Sequence, residues 1–338
     1  MDFELSDDQQ ALAAAATDLL DGRSPISVVR AAMEQGGRRD GELWKAMVDQ
    51  GWCGLAVDES SGGVGLGWVE AAVVLEQVGA HVAPAPILGQ LVALDLLATT
   101  EWATPLVNGD AIAAVAPRLD EPVVYAPEAD VLVVVDEDRL VAIDLRELRP
   151  AAEPAMDLTR TIGWVRSDVV SAAPRLDLGG ADAIARQLDV ASVAYSAELL
   201  GIAQRALDLS VEYARERVQF GRPIGSFQAV KHRCADMLVD VEGMRSAVYW
   251  AAWCVAAGDA DSSVAASTAK CWCSDAATRV LSSALQVHGG IGFTWDHDIH
   301  LYLKRAHLDA ISFGDASFHR ARLAALLRDR VESGRSVI

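Results

Sequence analysis

The spacing of apolar residues along the chain changes character twice. Residues 5 to about 110 follow the period of amphipathic helices, and Ser6 is the predicted cap of the first one, because an acidic first turn follows it. Residues 111 to about 180 instead contain short β-branched runs. The runs at 131–135 and 140–143 flank a polar turn, which predicts a β-hairpin. After this segment the helical period returns.

The final segment predicts three long helices, at residues 183–217, 226–258 and 261–288. Ser226 is the predicted cap of the second helix, and Asp261 with Ser262 is the predicted cap of the third. A helix of about 27 residues is ~40 Å long at a rise of about 1.5 Å per residue, which is typical of a helix bundle.

The predicted fold class is therefore mostly α with a small β domain. Three domains follow from the changes in pattern: a helical N-terminal domain at 1–110, a small β middle domain at 111–180 and a C-terminal helical bundle at 181–338. A Gly-rich loop at 61–65 is predicted to be a structural turn, because no strand precedes it as a dinucleotide-binding fingerprint requires.

Composition and charge narrow the function. The chain has 338 residues, with 29 Lys and Arg against 48 Asp and Glu, so its net charge is −19. This acidity argues against nucleic acid and anionic membranes as partners, because both attract a basic surface. No apolar run is long enough to span a bilayer, and residues 1–4 lack the basic and apolar parts of a signal peptide. With five cysteines and no disulfide spacing, the sequence predicts a cytoplasmic protein.

Two arginines stand at the predicted end of the first long helix. Arg215 and Arg217 precede a turn formed by Gly221, Arg222 and Pro223. A guanidinium pairs with phosphate oxygens in a bidentate manner, so this segment could hold a pyrophosphate. The alternative is that the cations only complement the negative end of the helix dipole. Taken alone, the segment favours the second interpretation.

A pair of glycines follows the third long helix. Gly289 and Gly290 would let the backbone approach a ligand, since neither has a Cβ. The segment is neither a Walker loop nor a dinucleotide fingerprint, because it lacks the Gly-Lys-Ser/Thr of the first and the preceding strand of the second. A glycine helix cap is the alternative. No metal site is expected, because the spacing of the nearby histidines does not suit one; they are His288, His297, His300 and His307.

Together these segments resemble the acyl-CoA dehydrogenases from one end of the chain to the other. The resemblance rests on motifs in a fixed order: residues 1–9, residues 43–79, residues 201–207, Arg217-x-x-Phe220-Gly221, Gln228, Glu242-x-x-Arg245 and Gln286-x-x-Gly289-Gly290-x-Gly292-Phe293. Each motif is weak by itself, but their order and intervals are specific. The resemblance implies a helical N-terminal domain, a β middle domain and a C-terminal four-helix bundle.

The resemblance also implies the cofactor and the chemistry. In this family FAD lies between subunits, and one subunit reaches the pyrophosphate and adenosine of its neighbour's FAD. The matching cofactor-binding positions in this chain are Arg217, Phe220, Ile224, Gln228, Gln286, Val287, Gly289 and Gly290. In family terms, a carboxylate takes the α-proton of an acyl-CoA thioester, the flavin takes the β-hydride, and the electrons leave to an electron-transferring flavoprotein.

The carboxylate is the main departure from the family pattern. The two positions at which the family carries its catalytic glutamate are Gly314 and Ala191 in this sequence. Glu198 follows Ala191 on the same helical face but ~10 Å along the axis, too far for a base that must come within ~3 Å of the proton. Asp315, next to the lost glutamate, is the candidate base. The alternative is that Asp315 is an acid favoured at the start of the final helix.

The middle segment departs from the family as well. The family binds the flavin ring through Ser and Thr donors, but residues 115–122 contain neither, so this chain is expected to hold its own flavin ring poorly. We therefore expect a subunit of a two-chain acyl-CoA dehydrogenase that needs a partner subunit for the base. This arrangement resembles the α2β2 actinobacterial enzymes that oxidise steroid side-chain CoA esters.

Two other interpretations stay open. The chain could be a self-sufficient flavoenzyme that forms dimers or tetramers with itself, with Asp315 as its base or with the chemistry of a flavin monooxygenase of the same fold. It could also be a flavin-free scaffold, although the two retained FAD-tail segments argue against that role.

Overall fold

The computed structural model describes residues 4–334. Six helices form the N-terminal part: α1 (Asp7–Arg23), α2 (Ile26–Glu34), α3 (Gly41–Asp49), α4 (Trp68–Ala80), α5 (Ile87–Leu97) and α6 (Ala103–Val107). The predicted cap of α1 is confirmed: the Ser6 hydroxyl accepts a hydrogen bond from Gln9 N, and the Gln9 side chain accepts one from Ser6 N. Residues 61–65 form a turn, as predicted, with Gly62 at a φ of +85°.

Short strands follow in the middle of the chain: β1 (Ala113–Ala116), β2 (Pro122–Val124), β3 (Val131–Asp136), β4 (Arg139–Asp144), β5 (Ile162–Trp164) and β6 (Arg175–Gly179), with the helix α7 (Ser167–Val170) before β6. One sheet has the order β1-β3-β4-β6, and β2 pairs with β5 in a separate ribbon. β3 and β4 form the predicted antiparallel hairpin, with Val135 opposite Leu140. The first four residues of β3 are buried, which suits their β-branched and apolar side chains.

The C-terminal part consists of long helices: α8 (Ala181–Glu216), α9 (Gln228–Ala257), α10 (Ser262–His288), α11 (Ile299–Ile311) and α12 (Ala316–Glu332). A hairpin of two short strands, β7 (Val218–Gln219) and β8 (Arg222–Pro223), joins α8 to α9. α10 is central, since it packs against α8, α9, α11 and α12. The fold is mostly α with a small β part, as the sequence predicts. Within residues 4–334, no helix has both the length and the apolar character needed to cross a bilayer.

The N-terminal helices are fixed to the bundle by a close contact between α4 and α8. A Cβ atom at Gly201 would overlap the carbonyl oxygen of Glu76 and lie 2.7 Å from its carbonyl carbon. A Cβ atom at Gly79 would likewise overlap the carbonyl oxygen of Glu198. The two backbones can approach this closely only because both positions lack a side chain. Both glycines belong to family motifs, so these motifs have a packing role.

The predicted cap at Ser226 is wrong. Ser226 is the last residue of the 3₁₀ turn Ile224–Ser226, which closes when Phe227 N donates to Ile224 O at 3.1 Å. α9 begins only after Phe227, which offers no side-chain cap. The exit of the β7–β8 hairpin therefore sets the start of this helix. Its end at Gly258, with a φ of +60°, agrees with the prediction.

The predicted capping of α10 is also wrong, although the helix begins where expected. Neither Asp261 nor Ser262 makes a side-chain capping bond. The Ser262 hydroxyl donates to Asp259 O at 2.7 Å, and Asp261 pairs with Arg330. Both side chains are bonded elsewhere, to the preceding turn and to α12, and neither accepts a first-turn N–H of α10.

Candidate functional site

Arg217, the first predicted site residue, directly follows the last residue of α8. Its backbone leaves the helical conformation there, with φ of −67° and ψ of 117°, while its N–H still donates to Tyr213 O at 2.9 Å. The guanidinium is exposed, and within residues 4–334 it makes no hydrogen bond or ion pair. A guanidinium that the chain itself does not use is available to an external anion.

Phe220 lies at the tip of the β7–β8 hairpin, with 92% of its surface exposed and a φ of +52°. A positive φ is unfavourable for a bulky residue, and such strain is often kept for function. Its ring contacts Phe227 edge-on, with 6.0 Å between centroids, and Arg222 lies 4.2 Å from the Phe227 ring. The hairpin thus presents an exposed aromatic ring close in sequence to Arg217.

Two further predicted residues flank this hairpin. Ile224 is half-buried in the 3₁₀ turn that follows it. Gln228 is the exposed first residue of α9, and its side-chain nitrogen lies 3.4 Å from His232 Nε2. Both positions border the same exposed segment between α8 and α9.

The second predicted segment lies at the end of α10. Gln286 is exposed, whereas Val287 is buried in the last turn of the helix. A Cβ added at Gly289 or Gly290 would meet no atom within 4 Å, so these glycines border open space and serve no packing need. Gly289 has a φ of +63° and ends the helix. The glycine pair can therefore lie directly against a ligand.

The structure brings the ends of α8 and α10 to the same end of the bundle. The Tyr213 ring stacks on His288 at 4.8 Å, and His288 contacts His297 at 4.4 Å between centroids. Tyr213 lies one helical turn before Arg217, and His288 directly precedes Gly289, so the stack holds both predicted segments together. Burial lowers the pKa of His288 and of His297, which favours neutral rings.

Sequence analysis missed this stack. Tyr213 belongs to none of the motifs, and its partners lie far along the chain, so only the fold reveals the contact. The histidines drew attention as potential metal ligands; the part of the chain that the structure describes contains no group of three or more side chains that could hold a metal ion.

A cavity of about 620 Å³ lies between the β part and the bundle. Its lining is mostly apolar. It comes from β1, β2 and the loop between them, from β3 and α8, and from α11, the first turn of α12 and the segment between these two helices. Three aromatic residues line it: Tyr195, Phe313 and Phe318. Tyr195 and Phe313 pack against each other with 5.8 Å between centroids. The volume and lining are typical of a pocket for a small organic molecule.

The two expected base positions lie in different surroundings. Gly314 lines the cavity, whereas Ala191 is fully buried and does not. Asp315 is the N-cap of α12, since its Oδ1 accepts the Phe318 N–H at 2.8 Å. Asp315 therefore stands at the start of the final helix, as the alternative interpretation predicts. Its role as a base stays a prediction.

Glu198 belongs to a buried ion cluster. Arg305 Nη1 donates to Glu198 Oε1 at 2.8 Å, and Arg160 Nη1 lies 3.3 Å from Glu198 Oε2. Asp157 contacts both arginines, and Asp309 accepts a bond from Arg160 at 2.6 Å. Both oxygens of Glu198 are occupied by arginines, so this residue is a structural anion and a poor base, in agreement with its distance from Ala191 along the helix.

No described Ser, Thr or Tyr of the β part lines the cavity, so the β part directs no hydroxyl donor into it. The sequence contains no Ser or Thr between Thr104 and Thr159. Thr159 and Thr161 are both buried, and both hydroxyls have partners: Thr159 donates to Asp157 at 2.6 Å and Thr161 donates to Glu128 at 3.1 Å. Neither threonine lines the cavity.

Comparison with known proteins identifies the family. The family model for the acyl-CoA dehydrogenase N-terminal domain matches residues 6–103, and that for the C-terminal domain matches residues 179–327. The chain is 37% identical to acyl-CoA dehydrogenase IpdE2 of Mycolicibacterium smegmatis over 325 residues, covering 95% of this chain and 99% of that relative. The chain belongs to the acyl-CoA dehydrogenase family.

Solved structures share the fold of this acyl-CoA dehydrogenase along its whole length. A chain of the ChsE4-ChsE5 complex from Mycobacterium tuberculosis has a TM-score of 0.87 and 27% identity, covering 97% of this chain and 99% of that one. A chain of the steroid acyl-CoA dehydrogenase Tcur3481-Tcur3483 has a TM-score of 0.86 and 29% identity, covering 96% and 99%. The predicted fold class and family resemblance are thus confirmed.

FAD, the cofactor of the family, fits one part of this acyl-CoA dehydrogenase and not another. Among residues 4–334, the guanidinium of Arg217 has no partner and the space at Gly289 and Gly290 is open, which suits a pyrophosphate and a flat adenosine. The cavity at Gly314 lacks hydroxyl donors from the β part for a flavin ring. This chain therefore suits the tail of FAD better than its ring.

Proposed function

We propose that this acyl-CoA dehydrogenase is one subunit of a two-chain, FAD-dependent enzyme that introduces an α,β double bond into an acyl-CoA thioester. It holds the pyrophosphate and adenosine of an FAD that is shared with a partner subunit, and the partner supplies the base and the contacts to the flavin ring. The observation that carries the proposal is a contrast within this chain, between the residues for the FAD tail and the positions of the base. Arg217, Phe220 and the glycine pair are present and open to a ligand, while the base positions are Gly314 and Ala191.

Four of the FAD-tail residues have distinct roles in this proposal. Arg217 pairs with phosphate oxygens, and the exposed Phe220 ring packs against the cofactor. Gly289 and Gly290 allow the backbone to approach it, and the stack of Tyr213 on His288 fixes the spacing of the two segments. When bound, FAD would supply the hydride acceptor, and the residues of this chain would bind and orient it.

The finer parts of the proposal rest on the relatives. Two solved relatives carry the names of two chains, ChsE4-ChsE5 and Tcur3481-Tcur3483, which supports a two-chain assembly here. We propose the stoichiometry α2β2 for it. Because the second is described as a steroid acyl-CoA dehydrogenase, we propose an apolar steroid-derived or fatty acyl group as substrate, in lipid or steroid catabolism. An electron-transferring flavoprotein would take the electrons, in the cytoplasm.

The first test measures the isolated chain with acyl-CoA substrates and an artificial electron acceptor. We expect negligible acyl-CoA dehydrogenation, because a positioned base contributes ~10²–10⁴-fold to such a reaction and this chain has none at either family position. Robust turnover by the chain alone would contradict the two-chain proposal.

Asp315→Asn and Asp315→Ala separate the two roles of Asp315. Asn caps a helix about as well as Asp but cannot act as a base, whereas Ala loses both functions. For a residue that is only a cap, Asn leaves stability and activity unchanged, and Ala lowers the free energy of unfolding by about 1 kcal/mol. If the isolated chain is active and Asp315→Asn abolishes that activity at unchanged melting temperature, the self-sufficient enzyme is established instead.

A further inference from the structure

A stack of three aromatic rings joins the two FAD-tail segments. Tyr213 lies 4.8 Å from His288, and His297 lies 4.4 Å from His288 and 6.5 Å from Tyr213, all between ring centroids. The rings come from α8, from the last residue of α10 and from the segment before α11. Imidazole is the side chain that changes charge most readily near neutral pH, so the stack has a chemistry beyond packing.

Hydrogen bonds to the backbone determine which ring nitrogens carry a hydrogen. His288 Nδ1 lies 2.8 Å from Ala284 O, and it carries a hydrogen because a carbonyl oxygen can only accept. His297 Nδ1 accepts the N–H of Ile299 at 3.1 Å, so it carries none. A charged imidazole has a hydrogen on both nitrogens. The bond to Ile299 therefore requires a neutral His297.

The groups that face the two histidines favour their neutral forms. Burial lowers the pKa of His288; the bond to Ala284 O opposes this shift, and His297 adds to it. Burial also lowers the pKa of His297, with Asp298 opposing the shift and Arg30 adding to it. Arg30 belongs to α2 and pairs with Asp298 at 2.5 Å, so the attraction of this carboxylate is shared.

A third histidine, His300, stands in the first turn of α11 and has the same preference. Its ring is 9% exposed and packs edge-on against Trp295 at 4.9 Å between centroids. Lys304 Nζ lies 4.1 Å from the centroid of the Trp295 ring. Burial lowers the pKa of His300, and Lys304 and Arg30 add to this shift while Asp298 opposes it. The packed arrangement thus opposes the uptake of a proton at each of the three histidines.

We propose that the stack is a proton-sensitive switch for the FAD tail, in which protonation of His297 and His288 separates the ends of α8 and α10 and so releases the cofactor. The inference rests on the proposed function, in which Arg217 and Gly289 hold one FAD. Two cationic rings in contact repel each other, and a protonated Nδ1 of His297 cannot accept the N–H of Ile299. Because such coupling is reciprocal, bound FAD should keep the rings neutral.

The effect of acid on the stack has a definite sign. A histidine whose pKa is lowered in the packed form takes up a proton more readily when the stack opens and its pKa returns to about 6.5. The packed form is therefore favoured above this pH, and the preference is lost as the pH falls below it. For one ring that is neutral while packed, the ratio of open to packed forms should rise about tenfold between pH 7.5 and pH 5.5.

FAD dissociation from the two-chain complex, measured at pH 7.5 and pH 5.5 and at equal salt, tests the switch. The wild-type complex should release FAD at least about tenfold faster at the lower pH. His297→Asn should reduce this ratio about tenfold, because Asn can accept the N–H of the residue two positions on but takes up no proton. His307→Asn makes the same change within α11, outside the stack, and should keep the wild-type ratio.

Hydrogen exchange of the Ile299 amide in the full chain alone tests the switch without FAD. After correction for the intrinsic pH dependence of exchange, its protection should fall at least about tenfold from pH 7.5 to pH 5.5. In His297→Asn the fall should be about tenfold smaller, because this ring no longer takes up a proton.

Equal rates of FAD release by the wild-type complex at both pH values would overturn the inference. So would a ratio of rates that His297→Asn leaves unchanged, or an Ile299 amide that is equally protected at both pH values. A complex that holds no FAD even at pH 7.5 would instead contradict the proposed function, so the two failures can be told apart.

Discussion

Arg217 is an exposed arginine with no partner in the described part of the chain, and the proposed function gives it one. A hydrogen bond to a charged group contributes ~1.5–3 kcal/mol, and ~1.4 kcal/mol corresponds to a factor of ten in affinity. Arg217→Ala should therefore weaken FAD binding by the assembled complex about tenfold or more. Arg217→Lys should restore it only partly, because an ammonium lacks the planar fork. FAD titrations at equal salt measure both effects.

Arg215→Ala is the matched control for Arg217→Ala. It removes the same charge from the same end of α8, but Arg215 lines the groove between α8 and α9. Its FAD affinity should stay close to that of the wild type. If both variants lose the same affinity, the effect is one of net charge. If FAD retention is unchanged in Arg217→Ala while the apo-protein melts at a lower temperature, Arg217 is only a helix-end cation.

The sequence alone identifies some of the candidate site residues and not others. Arg217 and the pair Gly289 and Gly290 belong to ordered motifs, so the sequence identifies them as candidates. The loss of the glutamate at position 314 is visible in the same way. The packing of the Phe318 ring against Gly314 cannot be identified from the sequence. It depends on the positive φ of Gly314 and on the position that the first turn of α12 gives the ring.

At the scale of elements, the buried ion cluster joins three parts of the fold. α8 contributes Glu198, α11 contributes Arg305 and Asp309, and the segment before β5 contributes Asp157 and Arg160. Two arginines thus face three carboxylates. Burial raises the pKa of Asp309 to about 7, and the nearby Glu198 adds to this while Arg160 opposes it. Burial therefore favours the neutral form of Asp309 within the cluster.

Glu198→Gln and Asp309→Asn should differ sharply in cost. Glu198→Gln removes a charged partner that both Arg305 and Arg160 contact in a buried site, and breaking such a pair costs about 3 kcal/mol or more. Asn in place of a protonated Asp309 keeps an acceptor for Arg160 and should cost less than about 1 kcal/mol at pH 5. Denaturant unfolding of both variants at that pH measures the difference.

The pH dependence of Asp309→Asn has a definite sign. A carboxyl whose pKa is raised by folding favours the folded state at low pH, and this contribution is lost as the pH rises from about 4 to about 7. The stability of Asp309→Asn relative to the wild type should therefore increase between pH 5 and pH 8. A difference that is the same at both pH values would mean that Asp309 is ionised throughout.

Helices and strands with a regular spacing of apolar residues could be predicted from the sequence, but the segments that connect them could not. The apolar period gave the long helices to within a few residues, and the β-branched runs gave the β3–β4 hairpin. The segment between β4 and β5 has no such period. Its buried residues, Asp157 and Arg160 among them, are ordered by contacts with α8 and α11, which depend on the complete fold.

At the scale of the whole molecule, exposed aromatic rings accompany the FAD-tail segments. Phe220, Phe293 and Trp295 are 92%, 75% and 61% exposed. Phe220 follows Arg217 closely in sequence, and Phe293 and Trp295 follow Gly290 closely, so each proposed FAD-tail segment has an exposed aromatic ring beside it in sequence. This agrees with a subunit whose FAD-tail segments are covered by a partner and a cofactor.

The most direct test of the account is the FAD content and acyl-CoA oxidation of this chain, purified alone and after co-expression with an acyl-CoA dehydrogenase-like chain encoded beside it. We expect the chain alone to retain little FAD and to be inactive. The co-purified complex should have the mass of an α2β2 tetramer, retain FAD and oxidise acyl-CoA, and its FAD should be lost more readily in Arg217→Ala. A chain that by itself retains stoichiometric FAD and oxidises acyl-CoA would contradict the account.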